Sequence, residues 1–416
     1  MPAEETTHES WLTRLKEHLL DERYCSKVTS KSLATAQRFL SYLQENKLRI
    51  EAARPVDVQA FLTQQLDRHQ ERHGHPPKDS RAWCRPHSAA VHILLRLGQV
   101  PWPPHEQGDA TATFRQRLCD EYTEWLSTCQ ALAPSTIDLR SACARDLLRW
   151  LDERCAEDRL ANLTTADIDG YIKSRAPRLR RTTCASLATR LRSFLRFLHD
   201  HKWIGTDLAR AVFGPPRYMF EDIPSLIRPE DVSAVLKAAR KDQTPVGLRD
   251  YAILMLLSAY GLRAGEVTGL RLEDVDWRHD RLRIRHSKTG GEVVLPLLVP
   301  VGEAVLSFIQ KARPASKARE IFIRMHAPYR AMRRGGSLYN LINRRMQRAG
   351  VKPAGKHGPH IFRHAFAVSL LRAGVSVKSI GDLLGHRSAD STTVYLKLAT
   401  EDLRAVGLNL PGEVNR

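Results

Sequence analysis

The sequence predicts a mostly α-helical protein with one small antiparallel sheet in its C-terminal half. Apolar residues recur at helical three- and four-residue spacing through most of the chain, and proline-rich breaks near 101–104 and 215–216 cut that pattern into blocks. One stretch, residues 281–295, alternates instead with the period of two that a half-buried strand requires. At 416 residues the chain has room for two to three domains, taking roughly 100–200 residues for each.

The first half reads as one helical unit present twice. Arg38-Phe39-Leu40-Ser41-Tyr42-Leu43 parallels Asp146-Leu147-Leu148-Arg149-Trp150-Leu151, each an aromatic and leucine cluster on one helix face. Val56 to Leu62 parallels Ala166 to Ile172, and Leu95-Arg96-Leu97 parallels Leu195-Arg196-Phe197, so order is kept at an offset between 100 and 110 residues. Each unit is expected to be a bundle of about four helices, with Asp57 and Asp167 capping free N–H groups at a helix start. The prolines at 101, 103 and 104 remove donors and fix φ, which places a boundary there; a second break falls at Gly214-Pro215-Pro216. The expected organisation is therefore helical blocks at 1–105 and 110–214, a linker at 215–225 and a C-terminal block at 226–416.

Charge narrows the partners. With 65 Lys and Arg against 46 Asp and Glu, the chain carries +19 at neutral pH, a field that attracts polyanions by releasing their condensed counterions. From Lys173 to Lys202 there are nine Lys or Arg and a single acid, Asp200. A solvated helix face gains from alternating signs, so a one-sign stretch implies an external anion, most simply a phosphate backbone. Lys173, Arg178, Arg180, Arg181 and Arg190 are the expected DNA-binding residues, and double-stranded DNA the expected partner.

Other classes are excluded. The densest apolar run, Ala252 to Leu257, falls far short of the roughly 20 residues a membrane span needs, and Met1-Pro2-Ala3-Glu4-Glu5 lacks a basic-then-apolar leader. The seven cysteines include no Cys-x-x-Cys pair and none lies beyond Cys184, which argues against structural zinc and a disulfide framework. A soluble cytoplasmic protein with reduced thiols and no membrane contact is expected.

The last 190 residues carry the chemistry. Asp250 to Leu257 predicts a buried helix ended by a left-handed Gly261, with Arg263 just beyond and Glu266 one turn later. Leu282, Ile284 and His286 alternate with Arg281, Arg283 and Arg285; Lys288-Thr289-Gly290-Gly291 then turns the chain and Glu292 to Leu295 returns, a hairpin carrying a lysine and ended by Pro296. After a basic, loop-rich stretch, Pro359 to Ala365 opens a helix that puts His360 and Arg363 on one face. Leu383-Leu384-Gly385-His386 follows, and Tyr395 lies nine residues past His386. Each signal alone is weak: His69-Gln70-Glu71-Arg72 is also His-x-x-Arg, and Gly247-Leu248-Arg249 repeats Gly261-Leu262-Arg263. Their order, spacing and context together carry the inference.

That ordered set resembles the tyrosine recombinase family, the phage-integrase and Xer-like site-specific recombinases, whose catalytic fold is shared with type IB topoisomerases. Residues 226–400 carry the resemblance closely and the unit at 112–210 more loosely. Gly261 to Glu266 is similar to the family's first arginine box, Lys288 to its hairpin lysine, His360 to His364 to its His-x-x-Arg box, and Leu383 to His386 with Tyr395 to its last histidine and nucleophile. The resemblance implies a core-binding domain at 110–214, a core-binding-like unit at 1–105 that departs from the usual plan, and a catalytic domain at 226–416. It implies a site-specific DNA recombinase of integrase or transposase type that works through a 3′-phosphotyrosyl intermediate, with Arg263, Lys288, His360, Arg363, His386 and Tyr395 catalytic. No cofactor and no metal are called for. A homotetramer on two DNA sites is implied, from monomers in the absence of DNA, with the segment after Tyr395 packing on a neighbour. A DNA-relaxing topoisomerase and a non-catalytic basic scaffold are the alternatives. Glu266 is expected in a buried pair with a basic neighbour, while Asp274 and Asp276 read as helix-face or turn carboxylates.

Overall fold

The computed structural model describes residues 8–100, 110–216, 226–286, 291–332, 336–352, 355, 358–385, 392 and 395. The chain divides into two compact units, residues 1–16 with 30–221 and residues 17–29 with 222–416.

The duplicated pattern corresponds to two sets of four helices. The first comprises α1 (His8–Asp21), α2 (Ser26–Glu45), α3 (Pro55–His73) and α4 (Ser80–Leu97), and the second α5 (Ala110–Thr128), α6 (Pro134–Leu151), α7 (Thr165–Arg175) and α8 (Arg181–Asp200). The same devices recur at matching places. At the start of α3 the Arg54 N–H donates to Asp57 at 2.9 Å, and at the start of α7 the Thr164 N–H donates to Asp167 at 3.0 Å, so each carboxylate answers an orphan donor as expected. Phe61 of α3 meets Phe39 and Tyr42 of α2 at centroid distances of 5.1 and 5.7 Å; Tyr171 of α7 meets Trp150 of α6 at 5.8 Å. Arg14 lies 4.6 Å over Trp11 in α1, and Arg117 lies 5.2 Å over Phe114 in α5.

The C-terminal part is built on α10 (Pro245–Tyr260), which follows α9 (Pro229–Arg240). Thr244 caps α10 by accepting from the Gly247 N–H at 3.0 Å, and Pro245 fits the first turn, where its missing donor costs nothing. Ala252, Ile253, Leu254, Leu256 and Leu257 are all fully buried, so α10 is apolar nearly all round and serves as the central helix. Truncating a residue so placed to alanine costs about 2–5 kcal/mol. Against α10 pack α9, α12 (Val299–Lys311) and α14 (Pro359–Arg372), which fixes the direction of the chain leaving both ends of the future site. Helix α11 (Ala264–Thr268) is one short turn after α10, α13 (Gly336–Arg348) precedes α14, and α15 (Val377–Leu383) follows it.

The predicted hairpin forms β2 (Arg281–Arg285) and β3 (Glu292–Pro296), with Leu282 opposite Leu295 and Ile284 opposite Val293. Leu282, Ile284 and Leu295 face the core while Arg281 and Arg283 stay exposed, the alternation that sets the register. A two-residue strand β1 (Val275–Asp276) adds an antiparallel edge that the sequence reading did not contain. The stretch read as loop-rich, between Pro296 and Gly358, instead contains α12 and α13. Pro300 lies in the first turn of α12, where it does not break the helix, and Leu338, Leu341, Ile342 and Met346 give α13 a buried stripe among its arginines.

Candidate active site

The site starts from how α10 ends. Gly261 adopts φ +60°, its N–H donates to the Leu257 carbonyl at 3.1 Å, and a Cβ there would meet Phe366 at 2.7 Å. Only glycine meets both demands, and the left-handed residue redirects the chain so that Arg263 caps α11 from the N-terminal side. The Arg263 backbone N–H donates to Glu266 Oε2 at 2.7 Å, its Nη1 to Glu266 Oε1 at 2.8 Å and its Nη2 to the Gly385 carbonyl at 3.1 Å.

Arg363 arrives from the first turns of α14, 4 % exposed. Its Nη1 donates to the Gly261 carbonyl at 2.9 Å and its Nη2 to the Leu384 carbonyl at 2.5 Å. A guanidinium has five donors, so each arginine is oriented by backbone and keeps N–H groups for an anion. Burial lowers the Arg363 pKa, and the like charge of Arg263 lowers it further; the Tyr395 hydroxyl, hydrogen-bonded to it, and Glu266 act the other way. A buried guanidinium with a second one beside it favours an anion between them.

Glu266 is buried as a pair with a basic neighbour, as expected, but it has two partners. Besides Arg263 it accepts from His286 Nδ1 at 2.8 Å, which places the proton on that nitrogen because an ionised carboxylate only accepts. Burial would raise its pKa, yet the bonds from His286 and Arg263 outweigh it and hold the carboxyl below its ordinary range. Asp274 is engaged by Arg285 at 2.5 and 3.0 Å, and Asp276 by His279 at 2.8 Å in an exposed turn.

Tyr395 is 4 % exposed, packed with Ala367, Ile380 and Leu384, its ring 5.6 Å from that of His364. His360, one turn before His364 on α14, is exposed, with its ring 6.2 Å from that of His364. Arg263, Arg363 and Tyr395 are thus brought together, with His360 on the same helix as Arg363. Lys288 and His386 lie outside the described residues, as does the segment after Tyr395; the neighbours Arg285, His286 and Gly385 are described. Among the described residues no group of three His, Cys, Asp or Glu could hold a metal ion, and no helix is long and apolar enough to cross a membrane.

Residues 225–402 match the model of the phage integrase family. The integrase/recombinase y4gC of Sinorhizobium fredii is 57% identical over 190 residues, spanning 46% of this chain and 97% of that protein. Tyrosine recombinase XerD of Corynebacterium glutamicum is 30% identical over 278 residues, 63% of this chain and 88% of the relative. The chain belongs to the tyrosine recombinase family. It is a site-specific DNA recombinase, and the relaxing-enzyme and scaffold readings are not favoured. Lambda integrase in a crystal structure of its tetramer bound to a Holliday junction shares the fold, with a TM-score of 0.53 at 16% identity over 83% of this chain and 87% of that one.

In this recombinase the basic residues expected on DNA lie at the end of α7 and along α8. Lys173, Arg178, Arg180 and Arg181 are exposed and Arg190 is half-buried. Arg175, counted in the same one-sign stretch, is bound to Asp146 at 2.9 and 3.1 Å, so this cation is already paired within the protein. The residue that sequence reasoning missed is His286. Its signal was present, since it continues the inward alternation of Leu282 and Ile284, but its partner Glu266 is 20 positions away.

Proposed function

We propose that this recombinase cuts duplex DNA by attack of Tyr395 on a phosphodiester held by Arg263 and Arg363, leaving a 3′-phosphotyrosyl bond. The Tyr395 oxygen bonds to phosphorus, the bond to the 5′ oxygen breaks, the phenolic proton passes to His360, and Lys288 supplies a proton to the departing oxygen. The substrate is already an anion and attack adds charge, so fixed cations are the main source of rate. Arg263 and Arg363 suit that role as planar, always charged forks, and His386 adds a donor to the same phosphate. Because the phosphoester energy stays in the covalent link, a new 5′ hydroxyl reverses the step without a cofactor or nucleotide.

The observation that carries this reading is the pair of guanidiniums, Arg363 buried and Arg263 half-buried, braced on the carbonyls of residues 261, 384 and 385, with the Tyr395 hydroxyl on Arg363. Residues 226–416 form the catalytic domain in this reading and 110–214 the core-binding domain, with Lys173, Arg178, Arg180, Arg181 and Arg190 on phosphates. The segment 215–225 is a linker, and 1–105 is a second unit of core-binding type. The lambda integrase relative is a tetramer on a Holliday junction, and we assign the same working state, four copies on two sites, to this protein.

Incubation with nicked, site-containing DNA and a denaturing gel tests the chemistry. The wild type forms a covalent protein–DNA adduct and Tyr395→Phe forms none while still binding. An adduct of undiminished yield with Tyr395→Phe removes the tyrosine from the reaction.

A further inference from the structure

We infer that His286 is a positioning residue that locks the root of the lysine hairpin to the arginine pocket, so that leaving-group protonation depends on it. His286 follows the last residue of β2, and its backbone N–H donates to the Gly291 carbonyl at 2.8 Å, a cross-link that extends the β2–β3 pairing by one residue on each side. Its side chain turns inward and is 8 % exposed. There Nδ1 donates to Glu266 Oε1, the same oxygen that accepts from Arg263 Nη1, both at 2.8 Å. The hairpin and the first arginine therefore share one buried carboxylate oxygen.

The opposite side of the ring meets a third segment. A Cβ at Gly385 would lie 2.7 Å from His286 Nε2 and 2.8 Å from Cε1, and Gly385 also has φ +62°. The imidazole thus rests on the bare backbone of the residue whose carbonyl takes Arg263 Nη2 and which directly precedes His386. Three chain segments that carry candidate catalytic groups meet on one ring. An apolar residue of similar size would fill the space but leave Glu266 short of a donor, and a shorter polar one would free the hairpin root. Arg263 keeps two other anchors, the Glu266 backbone link and the Gly385 carbonyl, so loss of His286 falls mainly on the hairpin. Misplacing a reacting group by about 1 Å costs on the order of 10²-fold in rate.

This inference rests on the reading of Lys288 as general acid, and substrate chemistry separates the two. Replacing the bridging 5′ oxygen at the cut site by sulfur gives a leaving thiolate that needs no proton. On ordinary DNA, His286→Ala is expected to cleave about 10²-fold slower than wild type, and on the sulfur-bridged DNA to return to within a few-fold of it. His286→Asn, whose amide can reach Glu266 from the Nδ1 position, keeps most of the activity on ordinary DNA and covers the case in which the alanine variant folds poorly. Lys288→Ala must show the same rescue. Rescue of Lys288→Ala without rescue of His286→Ala overturns the inference alone; wild-type cleavage by His286→Ala on ordinary DNA does so as well. No rescue of Lys288→Ala overturns the general-acid reading beneath it.

Discussion

The C-terminal part of the chain and the end of α7 hold several of their cations in opposite ways. Arg363 and Arg345, at 4 % and 2 % exposed, are each fixed by several acceptors: Arg363 by two carbonyls, Arg345 by Asp242 and Asp250 at 2.6 and 2.8 Å. Lys173, Arg178 and Arg180 at the end of α7 stand exposed, and none takes part in an ion pair among the described residues. In the first block Arg38 faces Arg68 and Arg72, cation against cation. A buried, braced guanidinium has already lost its water and its rotamer freedom, so it meets developing charge without reorganisation. An exposed one keeps both and contributes affinity through counterion release. On the proposed mechanism this difference separates Arg363, which would set rate, from Lys173, Arg178 and Arg180, which would set binding.

The sharpest way to break that division is at Arg363. Arg363→Ala is expected to slow covalent adduct formation on the order of 10²–10³-fold, about 3–4 kcal/mol of barrier, while DNA affinity falls little. Arg363→Lys keeps the charge but cannot span both carbonyls and a phosphate oxygen, so it should recover only a minor part. Single-turnover cleavage beside equilibrium binding by fluorescence anisotropy measures both. Loss of affinity in step with rate would place Arg363 among the binding residues.

The reciprocal change is smaller and lies at Arg178 and Arg180. Replacing both with glutamine should leave the rate of saturated complexes unchanged and weaken binding on most sequences. The slope of log affinity against log salt should flatten by roughly two, at about 0.9 per phosphate contact. An unchanged slope would remove this stretch from the phosphates.

Why part of this plan was legible in the sequence follows from range. The Gly261 stop, the hairpin alternation and the two capping aspartates are set by contacts within a turn or a strand pair, so local spacing exposes them. Glu266 was readable as a buried partner of a base because Arg263 is three residues away. Arg345 was not: its partners Asp242 and Asp250 lie 103 and 95 positions back, so it read as one more charge in a basic, loop-rich stretch. The same distance effect hid His286, and hid Asp146 as the partner of Arg175, 29 residues apart. Charge composition counts cations but does not say which ones the fold turns inward.

The smallest expected effect compares the two duplicated blocks with each other. In the first, α3 and α4 bring His69 to 4.4 Å from His73, 6.4 Å from His75 and 5.2 Å from Trp83, with His87 4.5 Å from Trp83. Burial and then Arg38 and Lys31 lower the His87 pKa; burial and then Arg96 lower that of His92. In the second, Asp146 and Asp167 are lowered despite burial, by Arg175 with Tyr171 and by Thr164 with Arg154, while burial raises Cys119 and Cys143 to about 11. A histidine whose folded pKa is depressed binds fewer protons folded than unfolded, so its contribution is present above about pH 6.5 and is lost as pH falls through the folded value. Depressed carboxylates keep theirs until pH falls below about 4, and the cysteines do not titrate in this window. Between pH 7.5 and 5.5 the first block should therefore loosen while the second holds. Hydrogen exchange, corrected for intrinsic rates, should show amides of 80–97 losing protection relative to 181–200 over that range, and His87→Gln should reduce the difference. An equal response in both helices would mean that the duplicated blocks, despite their different ionisable groups, open as one.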